Sequence, residues 1–193
     1  MLQEQYEKHS LEMQPYHYYL AEYHNMDPKN ISRRLEIPYD ENTRLFLVKF
    51  MEKNYTVSYP DLEIHCQDEE EGQAVLCDDI HAKVLLLRYF TEGDYMDATG
   101  NLLSYRDLPW GEVYYCQFYG RCIMRLARMF GNRLDAFKNI MEKLKGAPRN
   151  YGDAAYEFQF LENLKLCFVL WAGDEEYPFY YGAALSELYP HPL

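Results

Sequence analysis

Basic residues are scarce in this chain: 19 Lys and Arg stand against 31 Asp and Glu, for a net charge of −12. Affinity for nucleic acid rests on Lys and Arg neutralising phosphates, so an acidic balance argues against DNA or RNA as a partner. It argues equally against an anionic membrane surface. No apolar run reaches the length of a bilayer-spanning helix, and the opening Met1-Leu2-Gln3-Glu4 is not the basic start of a secretory leader. The expectation is a cytoplasmic protein.

Other signatures are missing too. Neither Gly-x-Gly-x-x-Gly nor Gly-x-x-x-x-Gly-Lys occurs, so there is no loop that cradles phosphates, and no motif names a cofactor. Ser58 and Ser104 lack the Gly-x-Ser-x-Gly setting of an esterase nucleophile. The five cysteines, Cys66, Cys77, Cys116, Cys122 and Cys167, are odd in number, contain no Cys-x-x-Cys pair and lie mostly among apolar neighbours. They read as reduced core thiols. There is no internal repeat and no Gly/Ser-rich linker.

Tyrosine is abundant, at 20 of 193 residues. Each ring is a large apolar body with a hydroxyl that seeks a partner, so a core with many polar tips or an aromatic-lined groove is expected. The length suits one substantial core.

Along the chain, Leu2 to Met13 reads as an amphipathic helix that Pro15 interrupts, with a second short helix from Tyr16 to Asn25. His17 and His24 share a face of that second segment, but no third ligand at helical spacing makes them a metal site. Residues 1–26 are therefore taken as a helical extension and residues 27–193 as the domain. Asp27-Pro28 starts the next helix, which runs through Ile31 and Leu35 and stops before Pro38, with Arg33-Arg34 as a solvated end.

From Leu45 the period changes. Leu45 to Met51 and Tyr55 to Tyr59 read as antiparallel strands joined by a turn at Glu52 to Asn54, and Leu62 to Cys66 as a third strand. Asp68 to Glu71 form a repelling acidic loop. Asp78-Asp79 caps a helix carrying Ile80, Val84, Leu87 and Tyr89, ended by Gly93-Asp94. Leu102 to Tyr105 is a short extended piece before the Pro109-Trp110-Gly111 turn.

A helix from Glu112 then lays Tyr115, Tyr119, Cys122, Leu126 and Met129 along one face, the expected core stripe. Its polar side carries Gln117, Arg121, Arg125 and Arg128, which either balance neighbouring acids or dock an anionic partner. Leu134 to Leu144 is a further helix, ended by Gly146-Ala147-Pro148. Ala155 to Phe160 and Leu164 to Trp171 are strands, the second of them the expected central one. A short helix from Gly182 to Leu188 closes the chain. The blocks of strands and helices predict an α+β fold, a single domain with a mostly antiparallel sheet packed against several helices.

The order of motifs resembles an uncharacterised prokaryotic family filed as domain of unknown function 3786. The residues behind that are Tyr55 to Pro60, Leu85 to Tyr89, Gly100, Ser104 to Pro109, Gly111, Gly152-Asp153, Leu170-Trp171 and Gly173 to Pro178. The resemblance covers Asp27 to the C-terminus and implies a family rather than an activity. Some members look linked to iron–sulfur or one-carbon proteins, yet this chain offers no Cys-x-x-Cys cluster ligands. It departs from the family's pattern after the acidic motif, where Ala183 to Leu188 replace a Phe-Asp pair.

The candidate site is the run Asp174, Glu175 and Glu176 at the exit of a buried strand, with Arg106, Asp107 and Asp153 as loop partners. Polar groups at strand ends are held rigidly yet stay open to ligand. One reading is structural, with Arg106 forking onto an acid, in a non-catalytic module that binds a small molecule or a protein. The other is a small divalent-metal-assisted, hydrolase-like enzyme that uses the carboxylates. No residue is assigned as a resident metal ligand on spacing alone.

Overall fold

The computed structural model describes residues 2–68, 74–95, 97, 101–162 and 164–172. The fold is α+β and its strands pair antiparallel. Residues 1–95 and 96–193 form two compact units.

The first unit begins with α1, a helix from Leu2–Asn25 that continues through Pro15. The expected break is absent. A proline inside a helix costs about 3 kcal/mol, and here tertiary anchoring at the C-terminal end of α1 offsets it. Tyr23 is fully buried, stacked on Phe90 at 5.3 Å and edge-on to Tyr59 at 5.3 Å, with its hydroxyl donating to the Ser58 carbonyl. Burial removes the Tyr23 hydroxyl from water and pushes its pKa up, so it stays protonated as a donor.

Helix α2 (Pro28–Leu35) begins as expected. The Asp27 carboxylate accepts from the Lys29 amide at 3.0 Å, a cap contributing about 1 kcal/mol, and Glu36 ends the helix in the left-handed region. Its buried side is Ile31 and Leu35. Arg34 is not a solvated end: its guanidinium donates to the Phe90 carbonyl near the end of a later helix.

Strands β1 (Tyr39–Asp40), β2 (Leu45–Phe50), β3 (Lys53–Ser58) and β4 (Ile64–Cys66) pair in chain order. The β2 to β3 hairpin turns at Met51-Glu52, earlier than expected, and both residues have positive φ. That is the two-residue hairpin geometry whose twist matches the strands, and neither residue is the usual Gly or Asn. Phe46 pairs with Val57 and Val48 with Tyr55, so the alternation buries all four on one face.

After α3 (Val75–Asp78), Asp79 caps α4 (Ile80–Glu92) by accepting from the Ala82 amide. Ala82, Leu86 and Phe90, spaced by four, with Leu87, are the buried side of α4. Phe90 meets Phe46 at 5.1 Å.

In the second unit, residues Tyr105–Asp107 form one 3-10 turn, which takes in the last residue of the extended piece expected over Leu102 to Tyr105. Helix α5 (Gly111–Phe118) passes through a π-helical turn, Tyr119–Ile123, into α6 (Met124–Phe130). The core stripe is consequently not Tyr119, Cys122, Leu126 and Met129. Ile123, Ala127 and Phe130 are buried, while Tyr119, Cys122 and Met129 are exposed and Leu126 is half-buried. A π turn holds one extra residue, so every inward position beyond it moves one step along the sequence.

Helix α7 (Leu134–Lys143) packs Phe137 and Met141 on the strands that follow. Strands β5 (Ala147–Arg149), β6 (Ala154–Leu161) and β7 (Leu164–Leu170) are antiparallel, and β5 was not foreseen. Pro148 sits in β5, a three-residue strand whose only neighbour in this unit is β6, where a missing N–H is tolerated. Within the unit, β6 lies between β5 and β7, so β6 and not β7 is the central strand among the described residues. Its side chains divide between two clusters: Tyr156 and Phe158 pack with Phe130 and Phe137, and Ala155 packs with Cys167 and Val169.

The cysteines are all unbridged, as expected, but only Cys167 is buried, and Cys116 and Cys122 are exposed. The acidic stretch Glu69 to Glu71 and the helix expected over Gly182 to Leu188 lie outside the described residues.

Candidate functional site

The segment Ser104 to Tyr119 carries the first two candidate residues. Both the amide and the hydroxyl of Ser104 donate to Asp107 Oδ2, at 2.8 and 2.6 Å. These hydrogen bonds hold the Asp107 carboxyl below the usual carboxylate range, so the turn is pinned by a charged acceptor. Arg106 forks onto Glu112 rather than Asp107, with Nε to Oε2 and Nη2 to Oε1 both at 2.7 Å. Its guanidinium also lies 4.6 Å from the Tyr115 ring centre. The Arg106 fork holds the Glu112 carboxyl below its ordinary range.

Between the two halves of that fork the chain reverses at Trp110, whose φ is 64° and ψ is 1°. A bulky residue in this left-handed region costs of the order of 1 kcal/mol or more. Gly111 follows because nothing larger fits: a Cβ there would lie 1.9 Å from the Tyr105 carbonyl oxygen. With the backbones this close, the Tyr105 ring lies flat on Phe118, centres 4.0 Å apart and planes 3° apart. The outcome is a braced platform from which Trp110 projects at 77% exposure, with Val113 at 65% and Tyr114 at 58% beside it.

Asp153 is held separately. Gly152 precedes it with φ of 54°, and a Cβ on that glycine would meet the Leu170 carbonyl oxygen at 2.8 Å. The close approach lets the Asp153 amide donate to Leu170 at 3.0 Å and its Oδ2 accept from the Ala172 amide at 2.7 Å. Asp153 thus clamps the chain from the last residue of β7, Leu170, to Ala172, which lies two residues ahead of Asp174 in the sequence.

Arg106, Asp107 and Asp153 therefore each engage a partner in or beside their own turn. Asp174, Glu175 and Glu176, and with them the expected convergence on Arg106, lie outside the described residues. Among the described residues no three His, Cys, Asp or Glu side chains gather as a metal-binding group. No helix among them is long and apolar enough to cross a membrane. Sequence reasoning missed Glu112 and Trp110. A carboxylate six positions after an arginine carries no helical or strand signal, and only the reversal at Trp110 brings the two together.

An α+β protein with antiparallel strands and tight backbone contacts at Gly111 and Gly152 is thus the class that the fold defines. The model of the family Domain of unknown function (DUF3786) matches residues 27–179, and the chain belongs to that family. Membership assigns no activity, since the family's function is unknown. No curated protein and no solved structure matches the chain.

Proposed function

We propose that the chain is a non-catalytic binding module and that its recognition element is the braced segment from Ser104 to Tyr119. One observation carries this reading. The polar groups of the segment hold one another, Arg106 on Glu112 and Asp107 on Ser104, while Trp110, the most exposed large apolar residue among the described residues, is kept in a strained backbone conformation. Strain at an exposed aromatic is retained where the surrounding structure over-determines it, which is common at ligand clamps. Apolar side chains exposed side by side mark interaction surfaces.

In this reading Arg106, Asp107 and Asp153 are architectural. The net charge of −12 supports a partner other than nucleic acid or an anionic membrane, and five unbridged thiols support a cytoplasmic setting.

Thermal melts of the intact chain, Asp153→Ala and Asp153→Asn, with and without Mg2+, Mn2+ or Zn2+, test the architectural role against the metal-assisted enzyme. Expected are a loss of stability in Asp153→Ala, recovery in Asp153→Asn through the retained carbonyl acceptor, and no metal-dependent shift. A metal-dependent shift that both substitutions erase overturns the proposal.

A further inference from the structure

The helix that starts at Gly111 has a side opposite its core residues, and that side is chemically graded. Ile123, Ala127 and Phe130 point inward. Val113, Gln117, Arg121, Arg125 and Arg128 follow one another by steps of four, four, four and three and are all exposed. Trp110 and Tyr114 flank the first of them. The face is therefore apolar and aromatic at one end and cationic at the other.

The three arginines stand out electrostatically. The chain holds 31 carboxylate residues against 19 basic ones. Yet among the described residues no carboxylate is in ion-pair contact with Arg121, Arg125 or Arg128, whereas Arg88, Arg106 and Arg149 each have one. Among the described residues, then, the ridge is not balanced by a contacting acid. Three like charges within about two turns of one helix repel one another mildly.

We infer that this face docks an acidic amphipathic helix of a partner protein, whose carboxylates meet Arg121, Arg125 and Arg128 and whose apolar anchor meets Trp110, Val113 and Tyr114. The inference rests on the proposed recognition element and extends it with a partner. Charge complementarity selects the occupant. Arg121 to Arg128 spans about 10 Å of helix at 1.5 Å per residue, which matches carboxylates placed three or four apart on a second helix. Arginine forks carboxylates bidentately, so the row reads both charge and spacing. A polyphosphate fits less well, because it offers no apolar anchor to cover the exposed Trp110, Val113 and Tyr114.

The test is fluorescence anisotropy on the intact chain with two dye-labelled probes: a helical peptide of glutamates with leucines at every third or fourth position, and the same peptide with alanine in place of leucine. The parent is expected to bind the leucine peptide more tightly than the alanine one. Combined Arg121→Ala, Arg125→Ala and Arg128→Ala should weaken both by about tenfold or more. Trp110→Ala should weaken only the leucine peptide. All of these side chains are exposed, so melting temperatures should hold, and that control separates lost binding from lost fold. A parent that binds neither peptide, a triple variant that binds as the parent does, or an oligothymidylate bound more tightly than the leucine peptide overturns the inference. None of those results bears on the metal melts, so failure of the inference is told apart from failure of the proposed function.

Discussion

Arg106 grips Glu112 through two parallel hydrogen bonds of 2.7 Å, with the reversal at Trp110 enclosed between them. Because this fork spans the turn, its strength reports on whether the platform is closed. The Arg106 hydrogen bonds hold the folded Glu112 pKa below the value in the unfolded chain. A carboxyl shifted this way adds stability above its unfolded pKa and loses it as pH falls through the folded one. Glu112→Gln should therefore melt below the parent near neutral pH, and the gap should close in acid. Paired melts across that range check it, and a gap independent of pH would remove the fork from the account.

Gly111→Ala should destabilise the chain by about 1–3 kcal/mol, the usual cost of forcing an extra carbon into a filled space. The added Cβ would meet the Tyr105 carbonyl oxygen at 1.9 Å, which is backbone and cannot swing aside. Urea unfolding measures the loss. An unchanged midpoint would show that α5 can start elsewhere.

Gly120 should behave oppositely. Nothing lies within 4 Å of a Cβ built there, so Gly120→Ala should gain about 0.5–1 kcal/mol by narrowing the unfolded ensemble. Deleting Gly120 is the sharper experiment. Gly111, Tyr115 and Phe118 would then continue into Ile123, Ala127 and Phe130 at ordinary helical spacing, and the π turn would vanish with both faces in register. The deletion variant should fold and melt no lower than the parent, whereas failure to fold would mean that the π turn itself is required.

Glu157, on β6, receives two hydrogen bonds from Arg149, at 2.7 and 3.1 Å, and an ion pair from Lys165 at 3.1 Å. Burial pushes its pKa up, but the bonds from Arg149 and Lys165 outweigh burial and leave it below the ordinary range. Glu157→Gln should cost about 1–2 kcal/mol near neutral pH, between the values for exposed and for buried pairs. The loss should shrink as acid protonates the parent's carboxyl, and urea titrations at both pH values would show it. An equal cost in acid would assign the effect to packing.

Much of the local structure was legible because its causes are local. Asp27-Pro28 starts a helix through one carboxylate and one missing N–H, and the alternation of Phe46, Val48 and Phe50 needs only the two-residue period of a strand. The misplaced features each have a nonlocal cause. Pro15 does not break α1 because Tyr23, two turns later, is locked between Phe90 and Tyr59. The core stripe of α5 and α6 is offset by one residue because a π turn leaves no mark in apolar spacing. Of the candidate site, the residues Arg106, Asp107 and Asp153 were visible, but their partners Glu112, Ser104 and Ala172 were not.

The amino-acid sequence alone determined the α+β class, the antiparallel pairing, the acidic character and the motifs of the family, since periodicity, turn chemistry and charge act between near neighbours. Only the tertiary structure decided which face of the Gly111 to Phe130 helix is buried, and that Arg121, Arg125 and Arg128 stand without a carboxylate partner among the described residues. Both depend on where distant backbone and side chains come to rest, and no spacing rule along a single chain encodes that.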